Sequence, residues 1–240
     1  MALFRRRDPV PSEETFTPFP KALTKLYSIW VSLTYPFASK GHSLSIHYTC
    51  NLRRVVAHRI KFGSSIVIGG DAWLNVPAPP EETGEPVIVI DDNCCIGPRC
   101  QLSGRNCIHL ERDVILSPSV LIMDHSHAYE DITVPIREQG VTEGGRIRIG
   151  QGSWIGFGAA IVCPKGELTL GRNCVVGANS VVTRSFPPYS VIAGNPAKVV
   201  KQFDPVKQAW VQGSVRSAVT VARDESIPPP GSRDPGVPSS

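Results

Sequence analysis

No stretch of this 240-residue chain stays apolar for the ~20 residues that a membrane-crossing helix requires. The early arginines have no apolar core behind them. Arg5–Arg7 run into Asp8, Pro9 and Pro11, which is not the pattern of a secretory leader, so cytoplasmic residence is expected. The seven cysteines contain no Cys-x-x-Cys pair. Cys94, Cys95, Cys100, Cys107 and Cys174 fall where small residues pack, which fits buried thiols in a reducing compartment better than disulfides. A net charge of +4 is mild and sits largely in Arg5–Arg7, Arg53, Arg54, Arg59 and Lys61. No aromatic residues interleave with those charges as a nucleic-acid surface would require.

What the chain does have is a six-residue beat of aliphatic side chains. Ile90, Ile96, Leu102, Ile108, Val114 and Val120 follow one another without a slip. The beat resumes as Ile149, Ile155, Ile161 and again as Leu170, Val176, Val182, often with a glycine directly after, as in Ile96-Gly97 and Ile155-Gly156. Period six fits neither the 3.6 of a helix nor the plain alternation of a lone strand. It fits a short strand and a tight turn repeated, a solenoid whose units bury their aliphatic residue only by stacking. One main domain is expected over 63–201, between an N-terminal extension (1–62) and a C-terminal segment (202–240) whose Pro-, Ser- and Gly-rich composition from about 213 predicts disorder.

The interruptions carry information. Ile66, Ile68 and Leu74 read as an earlier coil, with an outward bulge over Pro77–Pro86. A nine-residue step between Ile161 and Leu170 predicts a small bulge at Pro164–Glu167. The widest break, Asp124–Arg146, is polar and off the beat. Packing does not demand an extruded loop, so this one is a functional candidate. Upstream, Leu23, Leu26, Tyr27, Trp30 and Val31 recur at helical spacing after Pro20. That helix either covers the first coil or, with Lys21 and Lys25, lies on a membrane surface.

With the beat, the glycines and the loop together, the chain resembles the hexapeptide-repeat acyltransferases. The loop string Asp124-His125-Ser126-His127-Ala128-Tyr129-Glu130-Asp131 looks like that of the maltose and galactoside O-acetyltransferases and their polysaccharide-modifying relatives. The resemblance implies a left-handed parallel β-helix with three hexapeptides per coil, assembled as a homotrimer. In the family a catalytic histidine lies nine residues after a proline, and nine residues after Pro118 is His127. His125 is the second choice, shaping the acceptor pocket with Asp124; Asp131 and Arg137 are further acceptor candidates in the loop. Imidazole titrates near neutrality, which suits it to take a proton from an attacking hydroxyl.

Downstream, Ser153–Ala159, Val176–Thr183 and Ala193–Lys201 are similar to the family's acetyl-CoA groove. Carried over by position, Trp154, Phe157, Gly158 and Ala178 would line the pantetheine arm. Thr183 and Arg184 would follow it, and Lys198 and Lys201 would meet the nucleotide phosphates. Two features depart from the pattern. Pro98-Arg99 stands where sugar acetyltransferases carry an acceptor-assisting asparagine, and the N-terminal region lacks the maltose enzyme's acidic helical segment. The expected function is acetyl-CoA-dependent O-acetylation of a sugar hydroxyl in surface polysaccharide or glycolipid assembly, without a metal. Two other classes stay open: a zinc carbonic anhydrase of the same solenoid, using His109, His125 and His127, or a non-catalytic trimeric scaffold. If coils repeat every eighteen residues, His109 lies directly beneath His127.

Overall fold

The structure, a computed structural model, describes residues 18–77 and 85–212. Its strands line three faces of a triangular coil. The first face is a six-stranded parallel sheet of Ser39–Lys40, Ile60–Phe62, Ile88–Ile90, Cys107–Leu110, Arg146–Ile149 and Glu167–Leu170. A third, also six-stranded, contains Asn51–Leu52, Trp73–Asn75, Gln101–Ser103, Leu121–Met123, Ala160–Val162 and Val181–Val182. Between them the second face runs Leu44–Ile46, Ile66–Ile68, Cys95–Ile96, Ile115–Leu116, Trp154–Ile155, Val175–Val176 and Ser190–Gly194. It ends in the antiparallel strands Ala197–Asp204 and Ala209–Gln212. This is the expected left-handed parallel β-helix.

The coils stack like on like. Ile88, Ile108, Ile147 and Leu168 form one inward column, and Ile68, Ile96, Leu116, Ile155, Val176 and Ile192 a second. Leu74, Leu102, Ile122, Ile161 and Val182 form the third. All are buried, and each contributes roughly 1.5–3 kcal/mol by leaving water. At the corner entering the second face, Ser43, Ser65, Asn93, Asp113 and Asn173 adopt positive φ; at the next corner Asp71, Arg99, Ser119 and Asn179 do. Asn, Asp and Ser serve there because short polar side chains tolerate the left-handed region. The glycine after each inward aliphatic has a different reason. A Cβ on Gly97 would stand 2.8 Å from Leu116 O and Pro118 N of the next coil.

Several expectations need correction. The solenoid begins at Ser39 rather than 63, so Ile46 and Leu52 form a coil the beat did not reveal. Ile108 pairs with Ile88, twenty residues back rather than eighteen, because the corner between third and first faces takes extra residues. His109 therefore does not lie beneath His127: the residue paired above it is Arg148, and the extruded segment has left the coil. Among the cysteines, Cys94, Cys100 and Cys174 are buried, but Cys95 is exposed and Cys107 half-buried. Burial pushes the Cys94 thiol up to about 12 and those of Cys100 and Cys174 to about 11, so these three stay protonated packing residues. The disorder expected from about 213 and most of the Pro77–Pro86 bulge lie outside the described residues.

Among the described residues one α-helix, α1 (Pro18–Thr34), is present, and it closes the open end. Val31 is fully buried against the first coil, and Ser28 Oγ accepts the Ile46 N–H at 2.9 Å on the edge strand Leu44–Ile46. Among the described residues, no helix is long and apolar enough to cross a membrane.

The crowding at Gly97 gives a direct check. Gly97→Ala forces backbone of two coils apart and should cost about 1–3 kcal/mol, read as a lower chemical-denaturation midpoint with the slope unchanged.

Candidate active site

The extruded loop leaves the third face after Met123 and rejoins the first at Arg146. Its root is held by one carboxylate. Asp124 has no exposed surface, and its oxygens accept the backbone N–H groups of Arg105 (2.8 and 3.0 Å), Asn106 (2.8 Å) and Cys107 (2.8 Å) from the corner one coil below. Three consecutive N–H groups converging on an anion form a nest. Asp124 O also accepts the Gly145 N–H where the loop returns. One residue thus ties the loop's exit, its re-entry and the coil beneath.

The same carboxylate orients a histidine. His125 is buried, with Nδ1 3.0 Å from Asp124 Oδ1. An acceptor there assigns the proton to Nδ1 and leaves the lone pair on Nε2, the tautomer of a base. Beyond it the loop forms a short antiparallel stem. Thr142 N–H donates to Ser126 O at 2.8 Å, Ala128 N–H to Gly140 O at 3.1 Å, and His127 bridges Val141. The His127 side chain is exposed at the mouth of this stem.

The Asp124 carboxylate is thereby engaged by main chain and His125. Asp131 belongs to the loop's outer limb. Its Oδ1 accepts both the Oγ1–H (2.6 Å) and the N–H (2.8 Å) of Thr133, bonds that hold the carboxyl below the usual range. Arg137 projects into solvent beside Glu138 at 3.5 Å. The loop does not draw Asp131 or Arg137 in towards His125. His109 is engaged elsewhere, with Nε2 2.8 Å from Asp91 Oδ2 on the first face. Among the described residues no group of three His, Cys, Asp or Glu side chains stands as a metal site would.

Of the donor-side residues, Phe157, Gly158 and Ala178 fall along another edge, where the second face turns into the third, whereas Thr183 and Arg184 follow Val182 at the edge the loop leaves from. Ile155 pairs with Val176, so Phe157 and Ala178, two residues on in each strand's corner, stack one coil apart. Phe157 is half-exposed, and beside it Gly158 has φ +66°, where a Cβ would meet Asn179 Oδ1 at 2.4 Å. Thr183 and Arg184 are exposed just beyond the last strand of the third face, Arg184 resting over Phe186 at 5.3 Å. Lys198 and Lys201 are exposed on the antiparallel strand Ala197–Asp204. Trp154 differs in place: it stands on the outer surface of the second face, its Nε1–H donating to Ser117 Oγ at 2.8 Å.

Trp154 belongs to a pattern that reading along the chain misses. The register lines up Val67, Cys95, Ile115, Trp154, Val175 and Val191 as an outward ladder, one side chain per coil. Val67, Ile115 and Trp154 are each about half exposed in the single chain. The corresponding ladder of the first face is mostly polar: Lys61, Val89, His109, Arg148, Thr169. An apolar strip of this length, absent from the first face, is of the kind that marks interaction surfaces.

No family model matches the chain. It is 39% identical over 111 residues to a probable acetyltransferase, Rv3034c, of Mycobacterium tuberculosis, a match covering 44% of this chain and only 36% of that protein's length. Over 171 residues it is 28% identical to WbbJ of Escherichia coli (strain K12), named for O-acetyl transfer in lipopolysaccharide biosynthesis, covering 69% of this chain and 82% of WbbJ. A variant of AntD, an N-acyltransferase of Bacillus cereus crystallised with dTDP and coenzyme A, shares the fold. Its TM-score is 0.59 at 17% identity, over 75% of this chain and 90% of AntD. The resemblance to hexapeptide-repeat acyltransferases is borne out, in sequence by the acetyltransferases and in fold by AntD.

The clamp at the loop root is testable by itself. Asp124→Ala takes the acceptor from three part-buried N–H groups, at about 1 kcal/mol each. Thermal stability should fall, and hydrogen exchange should speed up at Arg105–Cys107 and at Gly145 more than in the distant coils.

Proposed function

We propose that this protein transfers an acetyl group from acetyl-CoA to a sugar hydroxyl, in the assembly of a surface polysaccharide or glycolipid. The observation that carries the reading is the buried Asp124 clamp. It fixes a histidine-bearing stem at one edge of a solenoid whose opposite corner holds the Phe157–Ala178 column. The similarity to WbbJ over most of its length supports a sugar oxygen as acceptor.

In this reading His127 is the general base. Its imidazole takes the proton as the acceptor oxygen attacks the thioester carbonyl, forming a tetrahedral oxyanion. Collapse breaks the carbon–sulfur bond, and the proton passes from His127 to the departing thiolate. The products are the acetyl ester and free coenzyme A, with no acyl-enzyme between. His125, held by Asp124, positions the stem and shapes the acceptor side. Phe157, Gly158 and Ala178 flank the pantetheine arm, with Thr183 and Arg184 further along it. Lys198 and Lys201 act as point charges for the nucleotide phosphates, a role that needs no bidentate geometry. Trp154 enters from the outward ladder.

A threefold assembly completes the site. The apolar ladder of the second face suits burial against another copy, and cyclic closure lets the loop edge of one subunit meet the groove edge of its neighbour. Without a partner, those two edges stand at opposite ends of the third face.

The test is thiol release from acetyl-CoA across a panel of sugars. Acceptor-dependent release should fall about 10²–10⁴-fold in kcat in His127→Ala, the usual worth of a positioned base, with KM for acetyl-CoA little changed. Release that survives in His127→Ala but collapses in His125→Ala would move the base one step down the stem. Absence of any acetyl-CoA binding would leave the scaffold reading.

A further inference from the structure

The helix that closes the solenoid has two apolar faces, and the fold uses one. Val31, Ser28 and the half-buried Thr24 and Tyr27 face the first coil. On the opposite side Leu26, Ile29, Trp30 and Leu33 recur at i, i+3, i+4 and i+7, and they are 64, 48, 50 and 80% exposed. Four large apolar side chains at that spacing make one continuous stripe. Because α1 lies on the outer edge strand of the first coil, with Ser28 bonded to Ile46, this stripe points away from the end of the solenoid. On one flank it borders the outside of the second face, Ile29 and Leu33 lining a groove with Val67 and Pro98, while Leu26 and Trp30 lie outside that groove.

Among the described residues, the charges on α1 have one sign. Lys21 and Lys25 are the only charged residues of α1, and both are exposed on the flank of the stripe. Exposed Arg54 adjoins the other end, its Nε–H donating to Thr34 O at 2.9 Å, and exposed Arg53 precedes it, donating to Val76 O at 3.4 Å. Around Trp30, Tyr27 and Tyr35 pack with ring centroids 5.8 and 5.5 Å away. Aromatic residues of this kind settle at the headgroup level of a bilayer.

We propose that α1 is a membrane-surface helix that docks this end of the protein on an anionic lipid leaflet. The apolar stripe enters the headgroup–acyl boundary, while Lys21, Lys25, Arg53 and Arg54 meet lipid phosphates. A partner protein fits less well, since it would have to supply both an apolar groove and an all-acidic rim. Under the trimer reading three such helices share one end and one direction, so modest single-helix affinities multiply. A glycolipid acceptor would then be met at the surface on which it is embedded. That last step rests on the proposed acetyl transfer; the docking itself does not.

The full chain is mixed with phosphatidylcholine vesicles, with or without about one-quarter phosphatidylglycerol, and sedimented at low and high salt. Binding should require the anionic lipid, weaken with salt, and be lost in Leu26→Ser/Leu33→Ser. In Lys21→Glu/Lys25→Glu it should weaken about thirtyfold or more, from about 1 kcal/mol per basic residue near the surface. Light scattering and soluble thiol release, read on the same samples, should match wild type. Failure to bind anionic vesicles, or binding that survives the leucine changes, overturns the proposal. A change of oligomeric state in the leucine variant assigns the stripe to a subunit contact and also overturns it. Intact thiol release in any of these outcomes leaves the transferase reading standing.

Discussion

The register between successive coils is the constraint from which the rest follows. A hexapeptide unit cannot bury its aliphatic residue alone; it must place that residue above and below equivalent ones. The requirement fixes the three inward columns, demands small or left-handed residues at the corners, and forces glycine wherever the next coil's backbone passes too closely, as at Gly97. Any insertion must leave at a corner and return in phase. The Asp124–Arg146 loop does so: the strand before it, Leu121–Met123, and the strand after it, Arg146–Ile149, are both paired on either side.

A rigid solenoid gives an inserted loop a fixed foundation but no reason to hold one shape. Asp124 supplies the reason. Its carboxylate accepts from three consecutive N–H groups of the turn at Arg105–Cys107, and it presents a strong acceptor to His125. Stability and site geometry are coupled through one side chain. The cost of removing it falls on both, and a sequence motif that reads as polar loop becomes a structural joint.

The fold was legible because its period is short and strict, and the twelve aliphatic positions of the beat stand in the core. Residues whose role depends on contact between coils were not. The beat could not show that the coil from Ile90 takes twenty residues, since Leu110 rather than Ile108 stands over Ile90. The first coil, at Ile46 and Leu52, escaped notice because Ser, His and Thr dilute it. At the candidate site the histidines and the glycine-flanked groove residues stood out by chemistry. The burial of Asp124, the nest beneath it and the Val67–Val191 ladder did not, because each brings together residues of neighbouring coils that no local pattern connects.

In the proposed trimer the histidine stem and the donor groove meet between subunits. The most direct measurement co-refolds His127→Ala with a groove-blocking Ala178→Trp variant and assays thiol release from acetyl-CoA. Random assortment in threefold rings pairs an intact stem with an intact groove in about a quarter of sites, so roughly that fraction of wild-type activity should return from two inactive proteins. Mixed assemblies that form but stay inactive would place both halves of the site within one chain and contradict the account.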